Sequence, residues 1–341
     1  MQLITIARLL CNGKVPLMLG THMLSRAVYR ANFLAAASES GLLAAMGGRA
    51  LSFDEIAKVL GCAPEQRETL VDWLSVASLS GVLRRTRDGR YALKGIMARA
   101  MARAGNDDAA TGLQEVTRLH ADVIFRLPGC LRKRRWLTLG DHDAVVAARA
   151  SRALEPVMAG AIEDAVKRFH PGSYLDVGCG TGIYLRYAAK ADSKLTGKGI
   201  DLSPEVAAFA QSKMSEWGMA DRFSVDAGDF RAIDPAPEFG LASLINNLCY
   251  FRRSERTDVV RHLTRFVRPG GGVMVAHPLR GLMAASDVVS LYFAAIEDAG
   301  PFPGPGEIES CMSRAGVKEI RTTNLMPGIV SVTGRVPAAT A

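Results

Sequence analysis

Tyr174-Leu175-Asp176-Val177-Gly178-Cys179-Gly180-Thr181-Gly182 is an apolar run carrying one acidic residue that breaks into three glycines at alternate positions. The apolar part reads as a strand, and the pattern from Ile183 to Lys190 reads as a helix. The glycines therefore form a strand-to-helix turn. Glycine at such a turn lets a ligand lie against bare backbone and admits positive φ. Two phosphate-binding loops are excluded. A G-x-G-x-x-G begun at Gly178 needs a glycine where Ile183 stands, and no Gly-Lys-Ser/Thr follows.

Downstream, short β runs alternate with helices. The spacing predicts strands over Tyr174 to Val177, Lys198 to Asp201, Phe223 to Asp226, Leu241 to Ile245, Gly272 to His277, Lys318 to Thr323 and Ile329 to Thr333. Helices are expected over Ser203 to Trp217, Glu255 to Phe266, Ala285 to Ala299 and Pro305 to Ala315. Such alternation predicts an α/β fold with a mostly parallel sheet covered on both faces. Upstream the pattern is helical, from His22 to Met46, where Gly47-Gly48 ends it. Ser52-Phe53-Asp54-Glu55 is a capping box opening a short helix, and Pro64 opens another that Gly81 stops. Asp88-Gly89 between two β-prone runs is a hairpin signal. Helix, turn, helix, hairpin is a winged-helix pattern. Two further helices are expected, Gly112 to Phe125 and His142 to Phe169, with Pro128-Gly129 and the basic run Arg132 to Arg135 in a loop between them. The expected domains are residues 1–105 (winged helix), 106–170 (connecting helices that roof a pocket) and 171–341 (the α/β sheet).

The 341 residues suit about two domains, and 48% hydrophobic with 22% charged residues excludes wholesale disorder. No apolar run approaches the ~20 residues of a spanning helix, and Met1 to Leu10 lacks a basic flank, so neither membrane insertion nor secretion is expected. Six scattered cysteines without a CxxC argue against a disulfide framework or zinc site and for reduced thiols in a cytoplasm. The net charge of +8 lies mostly in residues 1–165, which raises nucleic acid as a partner.

The Asp-x-Gly-x-Gly-x-Gly pattern of Asp176 to Gly182 resembles motif I of the class I S-adenosylmethionine-dependent methyltransferases. Gly199-Ile200-Asp201 resembles that family's second strand, ending in the acidic residue that binds ribose hydroxyls. Asp201 lies nineteen residues after Gly182, close to the ~20 used by ribose-binding carboxylates in related sheets. Asp226-Ala227-Gly228-Asp229-Phe230 resembles the segment after the third strand, and Pro269-Gly270-Gly271 the turn before the fifth. The resemblance implies a Rossmann-like sheet of seven strands, the last antiparallel, with S-adenosylmethionine as cofactor. By that resemblance Asp176, Gly178, Gly180, Gly182, Asp201, Leu202, Asp229, Phe230 and Asn246 form the cofactor site. Asp229 would accept from the adenine amino group and Phe230 would flank the ring.

With its helical N-terminal part, the chain is similar to small-molecule O-methyltransferases of natural-product pathways, which implies an apolar acceptor and a homodimer built through the N-terminal domain. In that subfamily a histidine base follows the fourth strand, whereas here Cys249 stands in its place. His277 and Tyr250 are the substitute catalytic candidates. The alternative is an acceptor oxygen, carbon or nitrogen that needs no strong base. Cys179 reads as inert packing. His120 reads as a packing residue, on a helix placed to roof the pocket, whereas Met283, Tyr292 and Phe293 read equally as core or as acceptor-pocket lining.

Two competing functions remain open at this point. A DNA-binding regulator would use the basic wing Arg84, Arg85, Arg87 and Arg90, but Glu65, Glu68 and Asp72 make the would-be recognition helix net negative, which a phosphate backbone does not reward. A cofactor-binding protein with no methylating role would account for the missing histidine. A nucleic-acid methyltransferase is disfavoured, because no Asn-Pro-Pro-Tyr-like or Pro-Cys signature occurs.

Overall fold

The structure, a computed structural model, describes residues 13–138 and 154–338. The expected helix start at His142 and the Met1 to Leu10 stretch lie outside the described residues. The chain divides into two compact units, Met1–Arg118 and Leu119–Ala341. The division falls inside the segment expected to connect two domains.

In the first unit a long helix, Lys14–Glu39, starts earlier than its sequence pattern suggested and ends before Gly41, whose φ of 74° turns the chain into the short Leu42–Ala45 helix. The Phe53–Val59 helix carries the expected capping box: Glu55 N donates to Ser52 Oγ (3.2 Å) and Ser52 N donates to Glu55 Oε2 (2.7 Å). A 3₁₀ turn at Pro64–Gln66 leads into the Arg67–Leu79 helix. Strands β1 (Leu83–Arg85) and β2 (Tyr91–Leu93) then pair antiparallel around Gly89 at φ 80°. Leu42, Leu51, Ile56, Leu74 and Val82 fill the space beneath these elements.

In the second unit, Pro128 and Gly129 depart from expectation by lying inside a helix, Ala121–Lys133. Proline removes one backbone donor there. Packing outweighs that loss, since Val123 is buried in a cluster with Leu137, Tyr292, Phe293, Ile296 and Phe302. Arg132 and Lys133 belong to the last turn, where cations meet the negative end of the helix dipole.

The sheet that follows comprises β3 (Ser173–Val177), β4 (Thr196–Asp201), β5 (Phe223–Ala227), β6 (Phe239–Ile245), β7 (Val267–Pro278), β8 (Lys318–Met326) and β9 (Ile329–Arg335). Its order is β5-β4-β3-β6-β7-β9-β8, with β3 to β7 parallel and β9 antiparallel to both neighbours. This is the expected seven-strand sheet with its last strand reversed. Helices Glu155–Phe169, Ile183–Ala191 and Pro204–Glu216 build one buried cluster against it; Arg256–Thr264 and Glu307–Arg314 build the other. Both faces of the parallel strands are covered, so they read as near-continuous apolar runs. Strand order runs outward in both directions from β3, and the crevice beyond the carboxyl ends of β3 and β6 is where such sheets bind ligands. Among the described residues no helix is long and apolar enough to cross a membrane.

Candidate functional site

A cavity of about 580 Å³ opens at that crevice. Its floor is the glycine turn at Gly178 (φ 66°) and Gly180 (φ 55°); Gly182 (φ 75°), expected at the site, does not line the cavity, and a Cβ there would come within 2.5 Å of Met214. These positions exclude side chains for two reasons. An L-residue is strained at such φ, and a Cβ at Gly178 would come within 2.5 Å of the Asn247 side chain. Asn247 Nδ2 donates to the carbonyls of Val177 (2.9 Å), Gly178 (3.0 Å) and Ile245 (2.8 Å), tying the turn to the end of β6. From the end of β4, Asp201 Oδ2 accepts from Gly180 N (3.0 Å) and its Oδ1 accepts from Ser203 N (3.0 Å). Burial raises the Asp201 pKa above the usual carboxylate value, and those two N–H bonds oppose the rise.

Asp176 sits differently from expectation. It is fully buried behind the turn and does not line the cavity. Ser243 donates to its Oδ1 (2.6 Å) and is bonded in turn to Tyr174 Oη (2.7 Å), while Asp176 Oδ2 has no protein partner. Desolvation pushes its pKa up to about 7. A carboxyl whose pKa is raised on folding binds more protons folded than unfolded between pH ~4 and ~7, so stability falls as pH rises through that window. The melting temperature of the ligand-free wild type, measured relative to that of Asp176→Asn, should therefore decline from pH 5 toward pH 7.5. Parallel melting curves for both proteins across that range would contradict this.

The far end of the cavity is lined by Leu202, Asp229, Phe230, Arg231, Phe251, Glu255 and Asp298. Asp229 caps the 3₁₀ turn Phe230–Ala232, and Arg231 grips its carboxylate through Nε (3.0 and 3.1 Å) and Nη2 (2.7 Å), which lowers its pKa. Phe230 is buried edge-on to Phe251 at 6.2 Å. Asn246 adopts φ 57°, its Nδ2 lies 3.4 Å from Tyr184 Oη, and its Oδ1 has no protein partner.

The two catalytic candidates separate. Tyr250 lines the cavity and packs edge-on against Phe293 at 4.9 Å. His277 does not line it. The ring is 1% exposed, its Nδ1 donates to Pro278 O (2.7 Å), and it stacks edge-on with Phe302 at 4.7 Å. Burial holds its pKa down at about 3, so the ring stays neutral. The strand-end position that made His277 a candidate is covered by Phe302. Cys249 is also buried; its Sγ–H points to Asn246 O at 3.5 Å, and burial pushes the thiol pKa far up. Cys249→Ser should leave turnover within about twofold, because a thiol shut from the cavity and held protonated is neither nucleophile nor base. A tenfold loss in kcat with unchanged folding would show otherwise. Tyr292 and Phe293 are core residues of the aromatic cluster with His120 beside Tyr292, and Met283 packs near Gly328 outside the cavity.

Residues 175–271 match the family described as "Methyltransferase domain". The chain is 27% identical over 288 residues to demethylspheroidene O-methyltransferase of Cereibacter sphaeroides, covering 80% of this chain and 74% of that protein. It is 24% identical over 334 residues to 3-hydroxy-5-methyl-1-naphthoate 3-O-methyltransferase of Streptomyces sahachiroi, covering 92% and 94%. The chain carries a methyltransferase domain and is similar over most of its length to named O-methyltransferases. Its fold is shared with human N-acetylserotonin methyltransferase in complex with SAM, at a TM-score of 0.72 and 18% identity, over 94% of this chain and 97% of that one.

The cavity of this methyltransferase suits its cofactor. Its volume falls in the ~300–1,000 Å³ range of small-molecule sites. Its floor is side-chain-free backbone at Gly178 and Gly180, and Asn246, which lines it, presents a buried Oδ1 without a protein partner. Sequence reasoning missed Asn247, Ser243 and Arg231. Ser243 alone left a trace, as a polar residue in the apolar run of β6.

Proposed function

We propose that this methyltransferase transfers a methyl group from S-adenosylmethionine to an apolar aromatic or polyketide-like small molecule. The observation that carries this reading is the cavity built on the glycine turn, Asp201 and Asn246 and bounded at Tyr250 by an aromatic cluster. The cofactor supplies a sulfonium-activated methyl group, so the hard chemistry is its own. The chain's task is to hold and orient. Gly178 and Gly180 give a surface the cofactor can approach closely, and Asp201 accepts from ribose hydroxyls. Asp229 and Phe230 bound the base, and Asn246 faces the amino-acid end, with Asp176 buried behind the turn. Tyr250 and its aromatic neighbours keep water from the line of attack, where alignment and exclusion accelerate the displacement.

The relatives matched over most of the chain carry O-methyltransferase names, one of them acting on a hydroxynaphthoate, which supports oxygen as the acceptor atom and secondary metabolism as the setting. Incubation with labelled cofactor and a panel of polycyclic phenols, with amines and carbon acids alongside, should yield S-adenosylhomocysteine and a labelled acceptor. Tight cofactor binding with no labelled product from any class would overturn methyl transfer to such molecules.

The first unit reads as a winged helix serving dimerisation. Leu17, Met18, Met23, Leu24 and Val28 of its long helix are exposed, and burying them against a second copy accounts for that apolar face. Two of its cations are already held by carboxylates. Arg67 pairs with Asp54 (2.6 Å) and Arg90 with Glu55 (3.2 Å), and Glu68 and Asp72 stand exposed on the same helix as Arg67. The free thiols at Cys62, Cys130, Cys179, Cys249 and Cys311 support a cytoplasmic location.

A further inference from the structure

Arg231 belongs to no motif and lies on the rim of the cavity. Its guanidinium holds Asp229 on one side and lies 5.5 Å from the centre of the Phe251 ring on the other. Asp229 comes from the segment after β5 and Phe251 from the segment after β6, so one side chain bridges two walls of the nucleobase end. Glu255 and Asp298 line the same end and further stabilise its charge.

The bonding pattern is specific. A carboxylate offers about four acceptor positions. At Asp229 three are taken by N–H groups of one residue: Arg231 backbone N on Oδ1 (3.0 Å), Nε shared between both oxygens, and Nη2 on Oδ2 (2.7 Å). A single acceptor direction is left, and the carboxylate cannot rotate to offer another without breaking the fork. A carboxylate fixed in this way rewards one correctly placed donor and repels an acceptor.

We propose that Arg231 is a positioning residue that makes the cofactor site selective for a base with an exocyclic amino group, by locking Asp229 in one orientation and pinning it to the Phe251 wall. This rests on the reading of Asp229 as the adenine contact. Without the fork, Asp229 keeps the backbone bond of its capping turn but regains rotation, and the base with a carbonyl at that position is no longer excluded.

The test is calorimetric titration of S-adenosylhomocysteine and of S-inosylhomocysteine, in which the amino group is replaced by a carbonyl, into the purified full-length protein. Hydrogen bonds to charged groups predict that the wild type prefers the adenosyl compound by roughly ten- to a hundredfold. Arg231→Gln should bring that ratio to within about threefold, chiefly by improving the inosyl compound relative to the adenosyl one, and Arg231→Lys should restore part of it. Asp229→Asn should erase it. A general loosening of the fold would weaken both ligands alike, and that outcome, or an undiminished ratio in Arg231→Gln, overturns the proposal. A wild type that binds adenosyl tightly without discrimination overturns it too, while leaving the methyltransferase reading intact. A wild type that binds neither compound overturns both.

Discussion

Asp201→Ala should abolish most of the stabilisation that S-adenosylmethionine confers on the folded protein. Ligand at ~100 times its dissociation constant stabilises a native state by about 2.7 kcal/mol. On the proposed reading of the site, the variant loses a charge-assisted acceptor for two hydroxyls, each such bond being worth about 1.5–3 kcal/mol. It also loses the clamp from Asp201 Oδ2 to Gly180 N, so the glycine turn no longer arrives pre-shaped. A hundredfold weaker affinity at the same ligand concentration leaves only about 0.4 kcal/mol of stabilisation. Paired melting curves with and without cofactor provide the measurement. A thermal shift in the variant equal to that of the wild type would remove Asp201 from the site.

The second large effect lies away from the cavity, at Arg256. This side chain is 0% exposed. It donates to the carbonyls of Leu248 (3.1 Å), Phe251 and Pro301 and pairs with Glu307 at 2.7 Å. It therefore ties the Leu248-Cys249-Tyr250 turn to the chain that enters the Glu307–Arg314 helix. Arg256→Leu takes a donor from three carbonyls, of which Leu248 O keeps Phe251 N (3.3 Å), and leaves the largely buried Glu307 with Gly304 N (3.1 Å) and the exposed Arg253, 3.3 Å away. Breaking a buried pair from one side costs about 3–5 kcal/mol. In a unit of this size that lowers Tm by on the order of 10 °C. Arg253→Leu, which removes the exposed partner of the same carboxylate, should cost less than about 1 kcal/mol. Equal melting temperatures for the two variants would show that burial is not what makes Arg256 matter. Because the turn carries Tyr250 and Phe251 into the cavity, the surviving folded fraction of Arg256→Leu should also bind cofactor more weakly.

What could be read from the chain before folding depends on how local the cause is. The glycine turn was legible because positive φ is a property of single residues and three glycines announce it. Asp201 was legible because one strand–helix–strand unit fixes its spacing from that turn. The capping box at Ser52 and the Asp88-Gly89 hairpin are similarly short-range. Asn247 was not legible beside Asn246. Their difference arises only when β6 lands next to β3 and one amide meets the carbonyls of Val177 and Gly178. His277 sits at a strand end that the parallel-sheet rule marks as reactive, yet Phe302, some two dozen residues on, closes over it. Arg256 looks like any helix-surface arginine until the segment around Pro301 buries it. Pro128 reads as a break because proline usually is one, and the apolar contacts of Val123 reverse that expectation.

The aromatic cluster of Val123, Leu137, Tyr292, Phe293 and Phe302 is distinct from the two clusters that hold the sheet together, and it meets the cavity through Tyr250. Such a division keeps the packing beside Tyr250 separate from the packing that holds the glycine turn and Asp201. A change at Tyr292 or Phe293 is therefore felt at the Tyr250 wall, through the ring contact of Phe293, while the helices and strands beneath the turn keep their own contacts.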